Sequence, residues 1–305
     1  MHLREKFRTL RNPIGTQPIA WSNDDFPELG GRTSLEQCLA EMRTAGYDGT
    51  ELGNKFPRTP TALRAVLGQH DLRLISGWHS THLALRDLGE ERAAFLSHLD
   101  LLRSCGASVV IVAECSHRSY NQPDKPLDFV SGTPALNAAE WHAMCRGLGE
   151  FAGLARDAGL TLVYHHHLGT VVQSEAALEK LLADVPILGL LFDTGHLTAA
   201  GIDPLAVLRR HGPRIGHVHL KNVRPAVLAR ARAEAWSFAQ AVAGGLFTVP
   251  GDADGGVDFA AVLAGLASLD YRGWLVVEAE QDPSRAHPLR YATLARDYIR
   301  LQTSL

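Results

Sequence analysis

The chain alternates strand-like and helix-like stretches in a near-regular rhythm, and this alternation limits the available folds more than any other feature. "QPIAW", "GTELG", "LRLISGWHS", "SVVIVAEC", "LTLVYHHH", "LGLLFDTGH", "IGHVHLK" and "WLVVEAE" read as eight strands, with helix-like stretches between them. In "SLEQCLAEMRTAGY", Leu35, Cys38, Leu39 and Met42 recur at helical spacing, Ser34 is placed to cap the helix and Gly46 to stop it. "SVVIVAEC" is an unbroken β-branched run, as expected of a strand buried on both faces. "PAVLARARAEAWSFAQAVAGG" is expected to be helical, and residues 116–137 form a polar insertion of the kind that often carries function. Eight such units in one row predict an α/β fold, a (β/α)8 barrel occupying residues 1–305 as a single domain. A doubly wound sheet would normally show G-x-G-x-x-G after its first strand, and the sequence has none there.

Composition narrows the function. Apolar residues make up 46% of the 305, enough for a full core, and the net charge of −3 supplies no basic surface for nucleic acid. No apolar run reaches the length of a membrane span, and "MHLREKFRTLRNPIG" lacks the apolar stretch of a secretion signal. The four cysteines are scattered and form no C-x-x-C pair. A cytoplasmic protein with reduced thiols is expected.

In a barrel of this kind, chemistry sits at the C-terminal ends of the strands. Here those ends carry "WSNDD", Glu51, Trp78 with His79, Glu114, the triplet His165–His166–His167, Asp193 with His196, His219 with Lys221, and Glu278 with Glu280. The strand beginnings carry almost nothing polar. His166, Asp193, His219 and Glu278 fall on four consecutive strands and form a metal-binding set, whose mixed imidazole and carboxylate donors suit Mn²⁺, Co²⁺, Fe²⁺ or Zn²⁺ better than Ca²⁺. A helix cap is the competing role for Asp193, and a packed interior position the competing role for His217. Strand alternation puts His165 and His167 on one face and His166 on the other, so the triplet cannot act as one ligand cluster.

The stretches "PIAWSNDDFPELGG", "GTELGNKFP", "ISGWHS", "YHHHLGTVVQ", "LFDTGHLTAAGIDP", "HVHLKNVR", "WSFAQAVAGGLFTVPGD" and "WLVVEAEQDP" resemble the inosose dehydratases, within the xylose-isomerase-like TIM barrels. The resemblance covers nearly the whole chain. It implies a divalent metal, Mn²⁺ or Co²⁺, and loss of water from 2-keto-myo-inositol to give a trihydroxycyclohexane-dione, as part of inositol catabolism. The wider family binds metal through Glu, Asp, His and Glu. Asp193, His219 and Glu278 match the last three, and register against Gly169 aligns His166 with the first. Asn222 departs from the Asp that commonly follows "HVHLK". Lys221, His196 and Glu280 are the expected acid and base groups, with the strand-five histidines also open as base. Trp21, Asn23, Asp24, Glu51, Lys55, Trp78, His79, His165 and His167 are expected to line a pocket for a small polyol ketone. A keto-sugar isomerase or epimerase on the same scaffold is the alternative activity, an apurinic-site endonuclease is disfavoured by charge, and a non-catalytic polyol binder is a third class. Barrels of this family are often homo-oligomers.

Overall fold

The computed structural model describes residues 3–133 and 135–305. Eight parallel strands close into a barrel: β1 (Ile14–Thr16), β2 (Gly49–Leu52), β3 (Arg73–Thr81), β4 (Val109–Glu114), β5 (Thr161–His165), β6 (Gly189–Asp193), β7 (Ile215–Leu220) and β10 (Leu275–Val277). Around the ring the order is β1-β10-β7-β6-β5-β4-β3-β2. Two further strands, β8 (Asn222–Val223) and β9 (Phe247–Thr248), pair antiparallel above the barrel. The (β/α)8 expectation therefore holds.

Side-chain alternation along the strands separates two kinds of core. Val110, Val112, Leu162, Tyr164, Leu190, Phe192, Val218 and Leu220 point outward and pack with helix residues such as Leu102, Leu148, Leu181 and Leu263. Val109, Ile111, Val163 and Leu191, on the opposite parity, cluster separately inside the barrel. The same parity carries Val163 on to His165, so the face of β5 that lines the lumen continues into a histidine.

Two irregularities in register adjust what points inward. One lies between Thr50 and Leu52 at the β2–β3 pairing, where Glu51 sits. The other lies between Leu190 and Leu191 at the β6–β7 pairing and brings Leu191 opposite His217 and Asp193 opposite His219. Such irregularities re-aim side chains next to active sites.

Several expected boundaries shift. The first strand is Ile14–Thr16 rather than "QPIAW", because Pro18 cannot donate to a ladder and opens a 3₁₀ turn over Pro18–Ala20. The helical segment after β7 divides into Pro225–Ala233 and Phe238–Ala243, with Ala235 in the left-handed region at φ 52° and Ser237 capping the second helix. The insertion at 116–137 holds no helix or strand among its described residues. It is tied to the region after β7 by the Leu127 N–H, which donates to the Trp236 carbonyl at 2.9 Å.

Candidate active site and metal centre

The strand ends converge on a cavity of about 210 Å³. Its wall includes Glu51, Trp78, His165, His167, His219, Glu278 and Glu280 from the strands, with Asp24, Asp25, Asn54, Arg58, Arg118 and Tyr120 from the loops.

At its base, one donor atom from each of His165, Asp193, His219 and Glu278 lies within 4.8 Å of the others. Local hydrogen bonds orient Asp193, His165 and His219 toward this point. Asp193 ends β6 and caps the helix Thr194–Ala199, its Oδ1 accepting from the Gly195 and His196 amides at 2.8 Å each. The helix-cap reading of Asp193 is thus met by Oδ1, while Oδ2 is buried and has no hydrogen-bond donor among the described residues. His165 Nδ1 donates to its neighbour's carbonyl, His166 O, at 2.7 Å, which turns a bare Nε2 toward Asp193 Oδ2 at 3.5 Å. His219 Nε2 faces Glu51 Oε1 at 3.1 Å, and its Nδ1 lies against Glu278 Oε2 and 3.4 Å from Asp193 Oδ2.

The metal assignment of His166 is corrected. Its ring lies on the outward face of β5 and its Nε2 donates to the Gln173 carbonyl at 2.8 Å, while burial pushes the imidazole down to about 4. His165 takes the inward place.

Charge supports a cation at this point. Glu51, Asp193, Glu278 and Glu280 are all buried, and Lys221 is the ammonium among them. Four buried carboxylates against one ammonium are costly without further positive charge. A divalent ion held by two imidazoles and two carboxylates offsets that excess, so the donor set, with an Asp193 oxygen that accepts no hydrogen bond among the described residues, fits such an ion.

Lys221 is fully buried behind this set. Its Nζ lies 2.6 Å from Glu278 Oε1, 2.7 Å from Glu280 Oε2, 2.9 Å from His196 Nε2 and 3.4 Å from Asp193 Oδ2. The Phe247 ring covers it at 4.9 Å. Burial opposes its charge, but Asp193, Glu278 and Glu280 outweigh burial and raise its proton affinity. Gly195 makes room for it: a Cβ there would sit 2.4 Å from Lys221 Cγ. His196 packs against His167 with ring centres 3.9 Å apart, and burial, then His167 and Lys221, hold it neutral.

His167 faces the cavity. Its Nδ1 donates to the Leu168 carbonyl at 2.7 Å, leaving Nε2 bare at 3.7 Å from Glu280 Oε1. The turn that follows requires Gly169, at φ 71° and packed against the Tyr120 backbone. Asp24 lines the outer wall, and its carboxyl is pushed up to about 6 by burial.

Four expected pocket residues lie elsewhere. Trp21 is in the core, donating to Glu41 at 2.7 Å. Asn23 turns its carbonyl oxygen to the amides of Asp25 and Phe26. Lys55 donates to the Gly31 and Thr33 carbonyls. His79 sits on the outward face of β3 against Phe95 and His98. Glu114 also faces outward, accepting from Thr81 and the Leu83 amide. Asn222 spends its side chain on the Val249 carbonyl and on the Val223 and Val257 amides, fastening the β8–β9 region. Arg118 and Tyr120 went unnamed in the sequence, although they belong to the insertion singled out there.

The barrel and its strand-end donors define a class that the comparisons make specific. The family model of the xylose isomerase-like TIM barrel matches residues 39–301. An inosose dehydratase of Bacillus thuringiensis (strain Al Hakam) is 45% identical over 294 residues, covering 96% of this chain and 97% of its own. The rhizopine catabolism protein MocC of Rhizobium meliloti is 49% identical over 290 residues, covering 94% and 87%. A solved IOLI protein with a bound zinc atom superposes with a TM-score of 0.67 at 14% identity, over 96% of this chain and 100% of that one, which is a likeness of fold. The chain belongs to the xylose isomerase-like TIM barrel family and, within it, to the inosose dehydratases.

Proposed function

We propose that this protein removes water from 2-keto-myo-inositol to form a trihydroxycyclohexane-dione in inositol catabolism, with a divalent metal, Mn²⁺ or Co²⁺, held by His165, Asp193, His219 and Glu278. The observation that carries the metal reading is the convergence of these four buried side chains, with Asp193 Oδ2 accepting no hydrogen bond among the described residues. When bound, the ion supplies Lewis acidity beside the ketone, which acidifies the adjacent C–H.

His167 is the base. Its bare Nε2 faces the cavity, and Glu280 stands ready to stabilise the imidazolium it becomes. The C–H electrons become the new C=C bond, and the β-hydroxyl leaves with the C–O pair. The His167 proton, returned to that hydroxide, completes a water molecule, and the hydroxy-enone left behind becomes the dione as its enol O–H proton moves to the carbon that lost the hydroxyl. Lys221, fenced by three carboxylates, keeps its proton and serves to position Glu278 and Glu280. The loop carboxyls Asp24 and Asp25 and the guanidinium groups of Arg58 and Arg118 bind ring hydroxyls.

The resemblance gives epimerases a glutamate at the first ligand position. Here β5 offers His165 in place of that glutamate, which favours elimination over an epimerisation that would use the glutamate as a second acid/base. Residues 1–305 act as one domain in the cytoplasm, with the 116–137 insertion supplying part of the pocket wall. The four cysteines are free, consistent with a reducing compartment. The substrate is a small uncharged polyol ketone. The scheme is tested by Asp193→Ala, which should lose both bound metal and dehydration; retention of both would refute it.

A further inference from the structure

Glu51 comes from β2, and His219 from β7, with β1 and β10 between them around the ring. The Glu51 carboxylate nevertheless reaches His219 across the lumen. One oxygen, Oε1, is approached by three donors: His219 Nε2 at 3.1 Å, His217 Nε2 at 2.7 Å and Ser76 Oγ at 2.6 Å. All four residues are buried. The register irregularity between Thr50 and Leu52 falls at Glu51 itself.

We propose that Glu51 is a positioning residue for the metal centre: a cross-barrel tether that fixes the His219 ring with its proton on Nε2 and its lone pair on Nδ1, facing Asp193 and Glu278. This rests on the metal reading above. A carboxylate behind a ligating imidazole orients the ring and raises its basicity, and losing such a partner costs about 10–100-fold in metal affinity. His217 and Ser76 hold the carboxylate in place from below. Glu51 also borders the cavity, so a substrate contact is the competing role, and the two separate by measurement without substrate.

The test uses the full chain, stripped of metal, titrated with Mn²⁺ and Co²⁺ against a chelating dye, with the Co²⁺ visible spectrum recorded alongside. Glu51→Asp keeps the charge but withdraws it by one methylene. It is expected to weaken metal binding about 10–100-fold and to alter the Co²⁺ spectrum, while a melting curve reports whether the variant folds. Wild-type affinity and spectrum in Glu51→Asp, with only KM raised, would overturn the tether. If the variant does not fold, ring ¹⁵N shifts of His219 in zinc-loaded wild type decide the matter. A protonated Nε2 with Nδ1 ligated supports the tether, and ligation through Nε2 overturns it. Wild type that binds neither ion would instead defeat the metal reading, and the tether with it.

Discussion

Lys221 Nζ and Glu280 Oε2 meet at 2.7 Å, both buried, inside a ring of charge formed with Asp193 and Glu278. Removing the ammonium leaves Asp193, Glu278 and Glu280 facing one another. Breaking a buried ion pair from one side costs about 3–5 kcal/mol. Lys221→Met is therefore expected to lower the melting temperature sharply, and calorimetry of the metal-free protein checks this. An unchanged melting temperature would mean the charges are not packed as described.

The choice between neighbouring histidines is open to direct test. His165→Ala should lose metal by more than the roughly 10–100-fold typical of an outer partner. His166→Ala should retain it, since that ring faces Gln173. Metal content after dialysis, measured on both variants, distinguishes them, and the reverse order would restore His166 as the ligand.

His167→Ala is expected to reduce kcat by about 10²–10⁴-fold, the usual worth of a general base. Metal content should stay at the wild-type level, because His167 lies outside the four-residue set. A variant with near-normal kcat would move the base to another group.

Outside the site, His79 is pushed down to about 4 by burial and then by His98 and His82. Its Nε2 and that of His98 are buried without partners among the described residues. The unfolded chain takes up the proton near the ordinary value of about 6.5 and the folded chain resists it, so the unfolded state binds more protons between these pH values. Stability is complete above that range and falls as pH drops through it toward 4. Melting temperature against pH should show this slope in wild type and a shallower one in His79→Phe.

The barrel was legible because strand–helix alternation is a local pattern, and the outward parity of Val110, Val112 and Leu162 repeats it in the packing. That Asp193, His219 and Glu278 come together was legible for the same reason, since they stand where apolar runs end in ionisable groups. His166 was misassigned because alternation fixes which histidines share a face but not which face looks inward, and that depends on pairing with β4 and β6. Trp21, Asn23 and Lys55 lie in loops, where side-chain direction follows turns such as the one Asn23 holds through two amides. β8 and β9 have two residues each, too short to carry any periodicity.

The most direct measurement is incubation of the metal-loaded protein with 2-keto-myo-inositol, followed by ultraviolet absorbance. Growth of the dione absorbance with Mn²⁺ or Co²⁺, and its loss after chelation, is the expected result. Isomeric keto-polyols in place of the dione, or substrate binding with no absorbance change, would contradict the assignment of dehydration to this site.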